Sequence, residues 1–293
     1  MATFYIAPTG SDATGDGSEG NPWFNLFYAN STSQTALTDT IIVKEGTYVQ
    51  TVGSNIGTIS SRTIKSENLN PEATILDFNG LTFQALQSEP DGSIEGIKFL
   101  RVQAVTVSRG VFQGFNGQYI RNCTFEDCRG NNNVRGRGGL FQGGNINVDR
   151  CKFINCWSNS SGSDYGGIFS SSGVNNYVTT VTNCVVYYDA DLAGAGEFIP
   201  SIITLGDGSA PREVIFKNSI VDIRNGTISF SYIRNGNGTV TVINSDIHNA
   251  NYGTSAVTTS TNAITDDPLF VDAANGDFRL RPQSPCVGTG TIS

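Results

Sequence analysis

Few residues in this sequence could do chemistry. The one histidine, His248, lies in Asp246-Ile247-His248-Asn249. An imidazole can move protons near neutral pH, but it needs a partner to orient it. Strand alternation puts His248 on an outer face, so a solvated or turn histidine is expected. The lysines are Lys44, Lys65, Lys98, Lys152 and Lys217. Lys98 and Lys152 hold equivalent places in a repeated motif and point outward. There Glu126, Asp127 and Asp149 could approach from adjoining turns of chain. Lys152, Glu126, Asp127 and Asp149 therefore form the candidate catalytic set, a cation beside carboxylates. A solvated face of weak ion pairs is the plainer alternative.

Other groups fit binding better. Arg135 and Arg137 follow Asn131-Asn132-Asn133 and lie near Arg129, the one basic concentration in the chain. Guanidinium groups there suit an anionic sugar, a phosphate or an acidic partner. Trp157, Tyr165 and Tyr187 stand in or beside expected turns, where rings stack on sugar faces. Arg135, Arg137, Trp157, Tyr165 and Tyr187 are thus the candidate ligand-binding residues. Asp189, Asp191 and Glu197 belong to a longer insertion; paired acids there could serve a glycosidase or simply a polar loop. Asp12, Asp16 and Glu19 do not have the spacing of a calcium-binding EF-hand loop. No metal ligand is assigned, and Ca²⁺ is the only cofactor considered.

These residues must be positioned by something, and the sequence says what. Ile94-Glu95-Gly96-Ile97-Lys98-Phe99 is echoed by Ile120…Phe125, Val148…Phe153, Val181…Val186, Phe216…Val221 and Val242…Ile247. The fourth position recurs at 97, 123, 151, 184, 219 and 245, in steps of 26, 28, 33, 35 and 26. A second unit, Gly138-Gly139-Leu140-Phe141, returns 28 residues later as Gly166-Gly167-Ile168-Phe169. That step equals the one from Cys123 to Cys151. Short strands stacked at about 4.8 Å in successive coils bury like residues over like. Cys123, Cys151 and Cys184 share one coil position; Cys128 and Cys156 share another. Columns of buried thiols are expected, Cys128–Cys156 being the pair close enough to suspect of bonding. Asn122, Asn183, Asn218 and Asn244 recur at a bend, where asparagine tolerates left-handed backbone.

The expected architecture is all-β: a single right-handed parallel β-helix spanning 1–293, with a short N-terminal capping helix. Residues 1–50 form the N-terminal cap and first coil, 51–262 the coils, and 263–293 a C-terminal cap. Asn21-Pro22 has the pattern of a helix start, N-cap then proline. Phe4-Tyr5-Ile6-Ala7-Pro8-Thr9-Gly10, Asn21-Pro22-Trp23 and Asp39…Gly46-Thr47-Tyr48 resemble the opening of pectate-lyase-like right-handed β-helix proteins. Asp267-Pro268-Leu269-Phe270 through Ser284-Pro285-Cys286 is similar to that superfamily's closing segment. The resemblance implies this fold over nearly the whole chain, but not one function, because the scaffold hosts lyases, hydrolases, viral spikes and inert adhesins. Lyases of this kind commonly hold Ca²⁺ with carboxylates and use Lys or Arg as base. No aspartate cluster here matches such a site, and His248 lacks the Gly-His-Gly turn of polygalacturonase-type hydrolases.

Composition narrows the partners. A net charge of −8 disfavours nucleic acid. No apolar run approaches the ~18 residues of a membrane span. The start lacks the basic and apolar regions of a signal peptide, so the expected location is a virion or an extracellular surface reached by another route. The first expectation is a non-catalytic structural or attachment protein, particle- or surface-associated, such as a viral decoration, fibre or spike component, that meets other structural subunits of a particle or surface assembly and could bind glycans. The alternatives are a polysaccharide lyase or glycoside hydrolase acting on an acidic polysaccharide, and a secreted adhesin or carbohydrate-binding module.

Overall fold

The computed structural model describes residues 1–31, 33–50, 62–80, 82–83, 86–88, 92–104, 112–114, 117–131, 140–142, 144–159, 167–171, 176–191, 201–205, 211–226, 228–233, 238–251 and 259–290. One coil shows the plan. Gln118–Arg121 lies in sheet 1, Thr124–Glu126 in sheet 2, Arg129–Asn131 in sheet 3 and Phe141–Gln142 in sheet 4. Ile146–Asp149 then returns to sheet 1 beside its starting strand. Among the described residues sheet 1 has ten strands, sheet 2 eight, sheet 3 four and sheet 4 seven, and their pairings are parallel. This is a parallel β-helix.

The repeat alignment is the pairing register. Ile94, Ile120, Val148, Val181, Phe216 and Val242 lie side by side in sheet 1. Phe99, Phe125, Phe153, Val186, Val221 and Ile247 do so in sheet 2. Both columns point inward and are buried. The rings of Phe99, Phe125 and Phe153 stack at 5.2 and 5.1 Å, and Phe141 meets Phe125 edge-on at 5.2 Å. Stacked coils thus supply both hydrophobic burial and ring contacts that no single short strand could make.

Two columns of left-handed residues bend each coil. Between sheets 1 and 2 stand Asn122, Arg150, Asn183, Asn218 and Asn244, with φ between 46° and 56°; between sheets 2 and 3 stand Arg101, Asp127 and Asn155. Side-chain amides link part of the first column: Asn218 Nδ2 donates to Asn183 Oδ1 at 3.4 Å, and Asn262 Nδ2, itself left-handed, to Asn244 Oδ1 at 3.0 Å. Just inside the bend the thiols do the same for the backbone. Cys123 N–H donates to Cys151 Sγ at 3.5 Å, Cys151 N–H to Cys184 Sγ at 3.4 Å, and Cys184 N–H to Ser219 Oγ at 3.1 Å. All six cysteines are unbonded thiols, Cys128 and Cys156 included.

The N-terminal helix starts later than its sequence pattern indicates. It spans Leu26–Ala29, and Asn25 rather than Asn21 caps it, accepting from Phe27 N–H at 2.8 Å. The cause is strand pairing: Trp23 N–H donates to Tyr5 O and its carbonyl accepts from Ala7, so residues 21–23 stay extended along the first strand's edge. Gly17 must be glycine there, at φ +77° with the Trp23 ring 2.7 Å from where a Cβ would sit. Arg62, fully buried, fastens this cap to the coils through Asn30 Oδ1 and the carbonyls of Thr35 and Ala36.

Candidate functional site

Outward positions of sheet 2 carry two of the lysines and several carboxylates. In the earlier coils Lys98 Nζ lies 2.6 Å from Glu126 and 3.5 Å from Glu72, and Lys152 Nζ lies 3.4 Å from Glu72. Thr124 Oγ1 donates to the same Glu72 oxygen at 3.2 Å, which explains why this outward threonine is fully buried. Burial opposes the Glu72 carboxylate, but the Lys98 and Lys152 ammonium groups outweigh it and hold its pKa below the ordinary value. Burial likewise opposes the Lys98 charge, but Glu126 and Glu72 raise its pKa. Asp127, at the bend next to Glu126, is raised by burial and by the Glu126 charge, against Arg129 and Arg101. Lys152 and Glu126 therefore share one network, Asp127 borders it, and Asp149 is elsewhere, bonded to Arg150 Nε and Asn183 Nδ2, each at 2.9 Å.

Farther along the same face the C-terminal segment lies over the sheet. Its short hairpin, Phe270–Asp272 with Asp277–Leu280, sets Phe278 against Tyr187 at 5.5 Å. Beneath it Asp222 is fully buried, with His248 Nδ1 at 2.9 Å and Arg224 Nε at 2.8 Å. Arg224 also forks onto Asp267 of the covering segment at 2.8 and 3.2 Å. Asp246, one column over, accepts from the Cys286 thiol at 3.0 Å. His248 does face outward, but it is covered and paired, with its side chain 13% exposed. Asp222, Asp246, Arg224 and Asp267 escape a reading made strand by strand. The missing signal was register: Ile220-Val221-Asp222 stacks on Asp246-Ile247-His248, which puts acid against imidazole.

The edge of this covered region opens into a cleft of ≈ 380 Å³. Tyr187, Asp189, Arg224 and Asn225 form one wall; Asp267, Val271, Asp272 and Arg281 belong to the other. Asn225 Nδ2 and Asp191 N–H hold Asp189 Oδ1, at 2.9 and 3.0 Å. Burial first, then the Asp189 charge, pushes the Tyr187 hydroxyl up to about 12, so it stays a neutral donor. Of the aromatic candidates, Tyr187 lines this cleft, although almost buried, while Trp157 is buried under the Arg129 guanidinium, 4.6 Å away. Arg135, Arg137 and Tyr165 lie outside the described residues. No group of three metal-ligating side chains occurs among the described residues, and no described helix is long and apolar enough to cross a membrane.

No protein-family model and no curated protein matches the sequence. Solved structures do match the fold. A rhamnogalacturonan lyase is 14% identical, with a TM-score of 0.45 over 86% of this chain and 75% of that one. A pectate lyase is 13% identical, with a TM-score of 0.40 over 100% and 92%. The pectin methylesterase from carrot is 12% identical, with a TM-score of 0.44 over 94% and 97%. The likeness is one of fold. Activity has to be argued from this chain's own residues.

Proposed function

We propose that this chain is a non-catalytic β-helix for attachment at a particle or cell surface, and that it binds a glycan in the cleft between the Asn225 turn and the C-terminal hairpin. One observation carries the reading: the outward groups best suited to proton transfer are either ion-paired, as the lysines are, or covered, as His248 is, whereas the cleft combines apolar and hydrogen-bonding walls. Lys98 and Lys152 are held by Glu72 and Glu126, and His248, although Asp222 orients it as a base would require, lies under the C-terminal segment with its side chain 13% exposed. A base engaged in an ion pair must break it before taking a substrate proton. In the cleft, Val271 and Ala273 offer apolar contact beside Tyr187, Asp189, Asn225 and Arg281, the mixture a sugar's two faces need. The lining carboxylates Asp189, Asp267 and Asp272 outnumber Arg224 and Arg281, and Asp222 adds another charge behind Arg224. Such a cleft favours neutral or amine-bearing sugars over uronates.

Calorimetry against neutral, amino and uronic oligosaccharides tests this directly. Neutral or amino-sugar oligomers should bind and uronates should not, and Arg281→Ala should weaken the neutral oligomers about tenfold by removing a hydrogen-bond donor. In parallel, uronate polysaccharides are incubated with the protein, with and without Ca²⁺. New unsaturated or reducing ends, lost on Lys152→Ala, would replace the proposal with a lyase or hydrolase centred on the Lys98–Glu72–Lys152 network.

A further inference from the structure

One wall of the cleft belongs to the coils and the other to the C-terminal segment, so the cleft exists only while that segment is docked. Beside the Phe278–Tyr187 ring contact, hydrogen bonds of the described residues fasten it at three places. Ile264 pairs with Asp246, exchanging backbone bonds of 2.9 Å with Ser245 and Ile247. Asp267 takes the Arg224 fork, and Cys286 donates its thiol to Asp246 Oδ2. The third is poorly satisfied. Asp246 is 1% exposed, and its Oδ1 finds no donor among the described residues. A buried carboxylate with an oxygen left unpaired is costly when charged and much less so when protonated.

We propose that segment 264–290 is a proton-linked strap: uptake of a proton at Asp246 tightens it onto sheet 2 and so completes the cleft. This rests on the glycan reading only for the cleft's purpose. The groups facing Asp246 are His248 and Asp222 from sheet 2, and Cys286 and Asp266 from the strap. Burial is the largest influence and pushes the Asp246 carboxyl up to about 6; Cys286 and His248 pull it down, and Asp222 and Asp266 add to the rise. Lifting the strap returns water to Asp246 and its ordinary value of 3.8. Docking therefore takes up a proton between these limits. The stabilisation is full below 3.8 and is lost as pH rises through about 6. Asp267 works in the opposite direction: Arg224 lowers its pKa, so its contribution fails only in stronger acid.

Hydrogen exchange of the full chain, without ligand, at pH 4.5 and 7.5 and corrected for intrinsic rates, reads strap opening at 266–290 against the sheet 2 amides. The strap should open roughly 20–30-fold more at pH 7.5, with the sheet unchanged. Asp246→Asn should remove that difference and stay closed at both values. An unresponsive strap in the unsubstituted protein, or an undiminished response in Asp246→Asn, would overturn the proposal. Should Asp246→Asn lose sheet protection, Cys286→Ala decides instead. Without the thiol donor the strap should open further at pH 7.5 than at 4.5, and equal opening at both would refute the link. Failure to bind any glycan would remove the proposed function and leave the strap intact.

Discussion

Sheet 2 presents ionisable groups along its outer face in both its earlier and its later coils, but it handles them differently. From Lys98 to Lys152 the carboxylates meet water: the Glu72 side chain is 51% exposed and that of Glu126 31%, although Lys98 between them is only 15% exposed. From Tyr187 to His248 the C-terminal segment covers them, and Asp222 and Asp246 are almost wholly buried. Alternation and register are the same in both halves. What differs is whether another piece of chain lies on top, and that changes the energetic meaning of an ion pair. An exposed pair is worth about 0–1 kcal/mol, whereas removing one member of a buried pair strands a charge in low dielectric.

The sharpest way to break this contrast is to delete one cation from each half. Arg224→Ala leaves fully buried Asp222 with His248 alone and frees Asp267 of the strap. It should lower unfolding stability by about 3–5 kcal/mol. Lys152→Ala leaves Glu72 still paired with Lys98 and should cost no more than about 1 kcal/mol. Denaturant unfolding followed by tryptophan fluorescence compares them, and equal losses would mean that the strap adds no burial energy.

Much of the interior was legible in the sequence, because the columns are made of repeated residues. Ile94 through Val242 and Phe99 through Ile247 pair as their alignment requires. The outer face was less legible for a physical reason. Alternation tells which way His248 points, but not that residues 264–290 fold back over it. Asp222 beneath His248 could have been found by comparing columns instead of single strands. The strap's contacts, Asp267 with Arg224 and Cys286 with Asp246, join residues 43 and 40 positions apart with no repeat to mark them. The helix start was misplaced for the same kind of reason: Asn21-Pro22 has a helix-start pattern, but the edge of the first strand claims that backbone.

Inside the helix the two halves should be interchangeable even though their outer faces are not. The bend column reads Cys123, Cys151 and Cys184, then Ser219 and Ser245, and each sulfur or hydroxyl donates to a carbonyl two residues back. From Cys151 to Ser245 each also receives the N–H of the coil before it. Cys151→Ser should therefore stay within about 1 kcal/mol of the parent. Cys151→Ala leaves the Cys123 N–H buried without an acceptor and should cost about 1–3 kcal/mol. If serine were as damaging as alanine, the thiols would act by volume rather than by hydrogen bonding.

The smallest effect tests the bends. Arg150 occupies the left-handed column at φ 53°, where its counterparts are Asn122, Asn183, Asn218 and Asn244. Its side chain is 61% exposed and pairs with the adjacent Asp149, an interaction worth little in water. Asparagine adopts this backbone at lower cost than arginine. Arg150→Asn should thus raise stability by about 0.5 kcal/mol, seen as a small rise in melting temperature. Arg101 supplies the control. It too is left-handed, at φ 55°, but both its Nε and Nη2 bond the Asp77 carboxylate, itself almost buried. Arg101→Asn should be destabilising, because relief of backbone strain is smaller than the loss of a two-point contact to a buried acid. If both substitutions stabilised, strain rather than side-chain bonding would govern the bends; if both destabilised, the arginines would matter for their charge wherever they stand.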